Sequence, residues 1–203
     1  DIKVRLGSLD PHEVTPKLID LIAENQDKIC RYIHLPLQSG DSTVLKRMRR
    51  AHSVDNFRSV VNSIAGKIDH VGIGCDVIVG FPGESDEAFE NSYNLINSLP
   101  VAFVHIFPFS ARSGTKAYDM SDKIPTHKIK ERSNLLQKLA DQKKQQFYEK
   151  MIGALLPAIV IKSCDDKGLL TVVTDNYLSL QVKADGDAAK ISYGNKVVVK
   201  PID

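Results

Sequence analysis

Val71 to Ser85 reads VGIGCDVIVGFPGES. It opens as a dense run of small and β-branched residues, the texture of a strand buried on both faces, and breaks at Gly80, Phe81, Pro82, Gly83 and Glu84. A buried parallel strand ending in a glycine-rich corner is where α/β folds place ligands. Glycine lets the backbone approach a ligand, Pro82 stiffens the turn, and Ser85 or Asp86 is placed to cap the next helix. An ordinary strand-to-helix turn uses the same residues, so the corner takes its meaning from what flanks it.

Upstream, RYIHLPL from Arg31 to Leu37 predicts a strand closed by Gln38, Ser39, Gly40 and Asp41. Asp41 or Ser42 then caps a helix with Val44, Leu45 and Met48, which ends in the basic run Lys46, Arg47, Arg49 and Arg50. A further helix spans Ser53 to Ala65, with Phe57, Val60, Val61 and Ile64 on one face. At the start, Ile2, Val4 and Leu6 alternate as a strand already under way, and Thr15 with Pro16 opens a helix carrying Leu18, Ile19, Leu21 and Ile22. The chain has no initiating Met, and a piece of a longer protein is expected.

Downstream of the corner, Ser85 to Leu99 reads as a helix and VAFVHIFPF, Val101 to Phe109, as a fourth strand. Strand and helix alternate throughout, so the expected class is α/β, a partial (βα) barrel of about four parallel strands. That is half of an eight-stranded barrel, and the other strands are expected upstream of Asp1. Pro125 opens a long helix to about Lys150 with Leu135, Leu136, Leu139 and Phe147 on one side. Beyond Gly153 come short alternating strands at Ala158 to Lys162, Leu169 to Thr174, Tyr177 to Val182 and Lys196 to Lys200, with a turn at Asp166, Lys167 and Gly168. They predict a small antiparallel β-barrel, OB-like, a shape that often binds nucleic acid and serves otherwise as a stabilising appendage. The expected division is 1–121, 122–151 and 152–203.

At 203 residues and 42% hydrophobic content the chain can bury a full core. Net charge is only +2, but residues 122–150 carry 8 basic and 4 acidic side chains, so the excess lies in the connecting helix. Cys30, Cys75 and Cys164 are scattered and odd in number, as in a reduced intracellular protein, and their spacing offers no metal site. No apolar run approaches the ~20 residues of a membrane span, and no signal peptide opens the chain. Cytoplasmic location without membrane contact is expected.

Three stretches carry a specific likeness: HLPLQSGDSTVLKRMRR, CDVIVGFPGES and HIFPFSARSGTKAYDM. In order and spacing they resemble the motifs of the radical S-adenosylmethionine methylthiotransferases, which finish in a small RNA-binding barrel, the TRAM domain. RLGSLDPHEVT, HIFPFSARSGT and DNYLSLQV look most like the branch that methylthiolates threonylcarbamoyladenosine beside the tRNA anticodon. The resemblance implies tRNA, at its anticodon loop, as partner, together with the missing N-terminal half of the same chain. It implies S-adenosylmethionine and two [4Fe-4S] clusters as cofactors of the parent enzyme. The cysteine loop that holds the first cluster in the family, CxxxCxxC, is absent here, so the chain alone is expected to be inert and to bind none of them. Variants of this reading take isopentenyladenosine in tRNA, or a ribosomal protein, as substrate. A reading of another class makes the chain a non-catalytic RNA-binding module.

The resemblance also distributes roles. Gln38 and Ser39, at the end of a barrel strand, would bond the ribose or the amino-acid end of S-adenosylmethionine, although Ser39 equally suits a turn. Arg50 would pair with the methionine carboxylate, a planar fork meeting a planar anion. Arg47 and Arg49 would face solvent or RNA. Ile78, Gly80 and Phe81 would lie against the adenine, with Gly80 permitting the approach. Asp76 is costly in so apolar a strand unless it is paired, meets the ligand or bonds backbone at a strand mouth. His105 and Phe107 would border the adenine or the substrate, a satisfied core histidine being the plainer reading of the first. For RNA, Tyr177 and Tyr193 would stack on bases and Lys143 and Lys144 would follow phosphates, against the plainer reading of a solvated helix.

Overall fold

The computed structural model describes residues 2–163, 168–183 and 191–202. Cys164 and the predicted turn residues Asp166 and Lys167 lie outside the described residues. Three strands, β1 (Tyr32–His34), β2 (Gly72–Val79) and β3 (Phe103–Pro108), form a parallel sheet in the order β1-β2-β3. The crossovers are helical: α2 (Ser42–Arg47) and α3 (Val54–Lys67) between β1 and β2, and α4 (Asp86–Ser98) between β2 and β3. The predicted first strand is a correction. Val4 and Ser8 make only isolated parallel bridges to Ile29 and His34, so the fourth strand is an irregular edge. Pro11, whose ring removes a donor, starts a 3-10 turn, and α1 (Pro16–Glu24) follows at once.

The caps follow the sequence. Thr15, Asp41, Ser53 and Ser85 accept from the first-turn N–H groups of α1, α2, α3 and α4. Period-two alternation gives the parallel sheet one apolar face, Ile33, Ile73, Cys75, Val77 and Val79, packed with Ile22, Phe57, Val61, Ile64 and Ile96 from the helices. The other face, described below, is concave, aromatic around Tyr32 and Phe103 and polar at His34, Asp76 and His105.

Cys75 sits in that core at 0% exposure, and burial pushes its thiol up to about 12. Iodoacetamide at about pH 8 should therefore leave Cys75 unlabelled in the native chain and label it after unfolding, as read by peptide mass spectrometry. Native labelling at the rate of a free thiol would show the core to be open. A raised value has a fixed sign: its contribution to stability is complete below the unfolded value of 9.0 and is lost as pH rises toward about 12.

The long helix α5 (Thr126–Met151) follows, then β4 (Leu156–Lys162), β5 (Leu169–Thr174), β6 (Ser179–Lys183) and β7 (Lys196–Val199). These four pair antiparallel in the order β6-β5-β4-β7. The sheet is open: among the described residues β6 and β7 do not pair, so the predicted closed barrel is not what forms there. Its inner face, with Leu156, Val160, Leu170, Val172 and Val199, joins Phe147 and Met151 of α5 and Tyr32 and Phe103 of the parallel sheet in one apolar cluster. Among the described residues no helix is long and apolar enough to cross a membrane.

Candidate functional site

The register places the concave face in layers. Tyr32 is opposite Gly72, His34 and Phe103 are opposite Gly74, His105 is opposite Asp76, and Phe107 is opposite Ile78 nearest the strand ends, where Gln38 bridges Val77. This is the C-terminal end of a parallel sheet, where binding residues are expected.

Gln38 is the strongest candidate at that mouth. Its φ of 70° is a left-handed conformation unusual for a residue with a side chain, and it is 8% exposed. Its backbone completes the sheet, N–H to Asp76 O and O from Ile78 N–H. Its side-chain amide makes no hydrogen bond among the described residues and is not sealed from solvent, so it is free to bond a ligand. Phe107, 51% exposed, lies opposite Ile78, across β2 from Gln38. Ile78 is half-buried and packs with Phe81 and Phe109, within reach of the same mouth.

Asp76 and His105 lie one layer deeper. The His34 imidazole Nε2 is 3.1 Å from Asp76 Oδ2, and the His34 and His105 rings lie 5.7 Å apart. His34 is the residue that sequence reasoning missed. The signal was present, because Tyr32 and His34 alternate onto the face that Asp76 occupies.

The other residues given roles in the sequence are placed by what their side chains touch. Ser39 is fully buried, its hydroxyl 3.3 Å from that of Ser92 on α4 and accepting from the Asp41 N–H, so it pins a turn and does not face the mouth. Phe81 is buried edge-on against Phe109 with Val44 and Ala88, behind the corner. Gly80 does take φ +81°, but a Cβ there would come within 2.4 Å of Ile129 on α5. The room its missing side chain leaves is taken by the Ile129 side chain of α5. Arg47 pairs with Asp122 at 2.7 Å. Arg50, exposed, follows a helix end closed by its own N–H to Leu45 O, with Arg49 left-handed at φ 59°; its guanidinium has no partner among the described residues.

The corner is held by a pair that the sequence reading did not single out. Glu84, 2% exposed, accepts from the Gly80 N–H at 2.8 Å and from Arg132 of α5 at 2.6 Å. Arg132 also reaches Asp86 at 2.7 Å, which Lys128 meets at the same distance. Burial pushes the Glu84 carboxyl up, against the pull of the Gly80 N–H and Arg132.

Two of the four proposed RNA contacts are committed elsewhere. Lys143 donates to the carbonyls of Asn97 and Leu99, closing the end of α4, and burial lowers its ammonium below the usual lysine range. Tyr177, in the turn between β5 and β6, stacks on Tyr32 at 4.3 Å between centroids, meets Phe103 edge-on and lies under the Arg5 guanidinium. Tyr193, 74% exposed, and Lys144 on the outer face of α5 remain accessible.

Comparison with known proteins agrees with this architecture. The model of the radical SAM superfamily matches residues 3–96. The chain is 37% identical over 188 residues to the threonylcarbamoyladenosine tRNA methylthiotransferase MtaB of Aquifex aeolicus, covering 93% of this chain and 44% of that protein. Its Bacillus subtilis counterpart is 33% identical over 188 residues, 91% of this chain and 42% of that protein. Among solved structures, coproporphyrinogen III oxidase from Escherichia coli, a radical SAM enzyme, superposes with a TM-score of 0.58 at 15% identity, over 70% of this chain and 32% of that one. That likeness establishes the fold alone. The parallel sheet, its crossover helices and the matched model define a segment of a radical SAM domain. The chain belongs to the methylthiotransferase family within that superfamily, and relatives at 33–37% identity are threonylcarbamoyladenosine tRNA methylthiotransferases. It spans about two fifths of the length of the curated relatives it matches.

Proposed function

We propose that this chain is the part of a tRNA-modifying enzyme that holds S-adenosylmethionine while a methylthio group is added to threonylcarbamoyladenosine next to the anticodon. One observation carries the reading: the likeness to those enzymes runs past the radical SAM segment, through α5 and the small sheet, over 93% of the chain. The geometry supports a sulfonium ligand at the mouth. The free amide of buried Gln38 would bond a ribose or amino-acid group, Ile78 and Phe107 would flank the adenine, and exposed Arg50 would pair with the carboxylate. When bound, S-adenosylmethionine supplies the radical chemistry, and the residues named here supply binding and orientation.

An iron-sulfur cluster does not fit the thiols described. Cys75 is sealed in the core, Cys30 is half-buried with its thiol pushed up by desolvation, and neither has a neighbouring thiol at ligand spacing. In this reading the cluster ligands belong to other parts of the parent enzyme, the chain alone is inert, and the TRAM-like role of 152–203 rests on Tyr193 and Lys144. The test is anaerobic reconstitution of the full-length protein, with mass spectrometry of digested tRNA from a strain that depends on it. Methylthiolated threonylcarbamoyladenosine is expected, and Gln38→Ala is expected to lower its yield by about tenfold or more, the effect of one lost ligand hydrogen bond. Methylthiolation confined to isopentenyladenosine, or found only on a ribosomal protein, would refute the substrate. Tight binding of S-adenosylmethionine by the chain alone in calorimetry would refute the division of labour.

A further inference from the structure

We propose that His34, Asp76 and His105 form a binding site for a divalent first-row metal ion on the concave face of the parallel sheet. The site lies one layer below the Gln38 mouth. It goes beyond the transfer reaction proposed above and can be tested without S-adenosylmethionine or a cluster.

The three side chains come from three adjacent strands, and their ligand atoms all lie within 4.8 Å of one another. It is the one such group among the described residues. Two imidazole nitrogens and one carboxylate oxygen suit Zn²⁺, Fe²⁺ and Co²⁺. Ligands about 2.1 Å from a tetrahedral ion stand roughly 3.4 Å apart. His34 and Asp76, at 3.1 Å, already have that spacing. His105 is exposed on the outermost strand, so a side-chain rotation brings it the remaining distance.

Two further features fit a metal better than a bare hydrogen-bonded pair. The Tyr32 hydroxyl stands 3.4 Å from His34 Nδ1, the ring nitrogen turned away from Asp76, where a hydrogen-bond partner fixes the tautomer of a ligating histidine. Strand β2 has Gly74 at this level, where a Cβ would lie 2.5 Å from the Tyr32 hydroxyl and 3.0 Å from His34 Nδ1. The backbone is thus notched for those two groups. Three protein ligands leave coordination positions open toward the hollow, as in sites that also take water or a substrate atom.

The experiment titrates the chelator-stripped chain with Co²⁺, read by visible absorption, and with Zn²⁺, read by calorimetry. One equivalent of each is expected, with Zn²⁺ displacing Co²⁺. His105→Ala, at an exposed position that leaves the core intact, and Asp76→Asn should each weaken binding by more than tenfold, and Tyr32→Phe by roughly tenfold. His12→Ala, an exposed histidine away from the sheet, should bind as the parent does. Circular dichroism reports that each variant is folded. Absence of the Co²⁺ bands at ~100 µM metal, or binding that survives His105→Ala and Asp76→Asn, would overturn the site and leave a hydrogen-bonded cluster only.

Discussion

Asp175→Ala is expected to lower the unfolding free energy by about 3 kcal/mol, a fall in melting temperature of roughly 6–12 °C for a chain of this size. Asp175 accepts from Arg31 Nε at 3.0 Å and from Nη2 at 2.9 Å, and Lys3 lies 2.6 Å away. Both Arg31 and Asp175 are 8% exposed. Removing the carboxylate strands a guanidinium out of water, and that penalty, more than the lost attraction, sets the size of the effect. The same turn is anchored by Asn176, which donates to His70 O, and a Cβ at Gly72 would meet the Asn176 carbonyl at 2.2 Å. Asp175→Asn keeps the shape and one acceptor, so it should recover part of the loss. Thermal and urea unfolding decide it, and a drop below about 1 kcal/mol would mean that the pair behaves as a surface ion pair.

The second large effect lies at the glycine corner. Arg132→Ala is expected to cost about 3 kcal/mol, because Glu84 keeps only the Gly80 N–H and stays buried. The contact to Asp86 adds little, since that side chain is 73% exposed. Adding Glu84→Gln should restore part of the stability, a neutral amide needing no cation, so the two substitutions should be strongly non-additive. The pH dependence has a definite sign. Burial already raises the Glu84 carboxyl, and without Arg132 it rises further; its contribution is then complete below the unfolded value of 4.5 and is lost as pH increases. The deficit of the variant should therefore be largest near neutral pH and shrink on acidification. A deficit independent of pH, with additive substitutions, would place the cost in packing alone.

Much of the fold was legible because it is local. Strand and helix periods and caps depend on residues a few positions apart: Thr15 opens its helix as read, Asp41 and Ser85 are the caps among the two alternatives offered at each start, and Ser53, read as the first residue of its helix, caps it. The positions of Gln38, Asp76, His105 and Phe107 at or near strand ends were legible too, since they follow from the strand periods. What escaped was long-range. Arg31 finds Asp175 at a separation of 144 residues, and nothing in RYIHLPL names its partner. Arg132 looked like one more cation on a lysine-rich helix, yet its spacing to Leu136, Leu139 and Ala140 places it on the apolar stripe, a signal available in advance. At Gly80 the sequence is ambiguous, because a ligand and a packed helix both ask for a missing side chain.

The Tyr177 plug gives the chain an order of assembly. Tyr32 and Phe103, which it covers, leave the ribosome long before it does, so the apolar underside of the growing sheet waits for a segment made much later. Contacts so distant in sequence close slowly. The small sheet is in this sense a built-in late chaperone for the floor of the larger one, and nascent chains halted before β5 are the ones most exposed to aggregation.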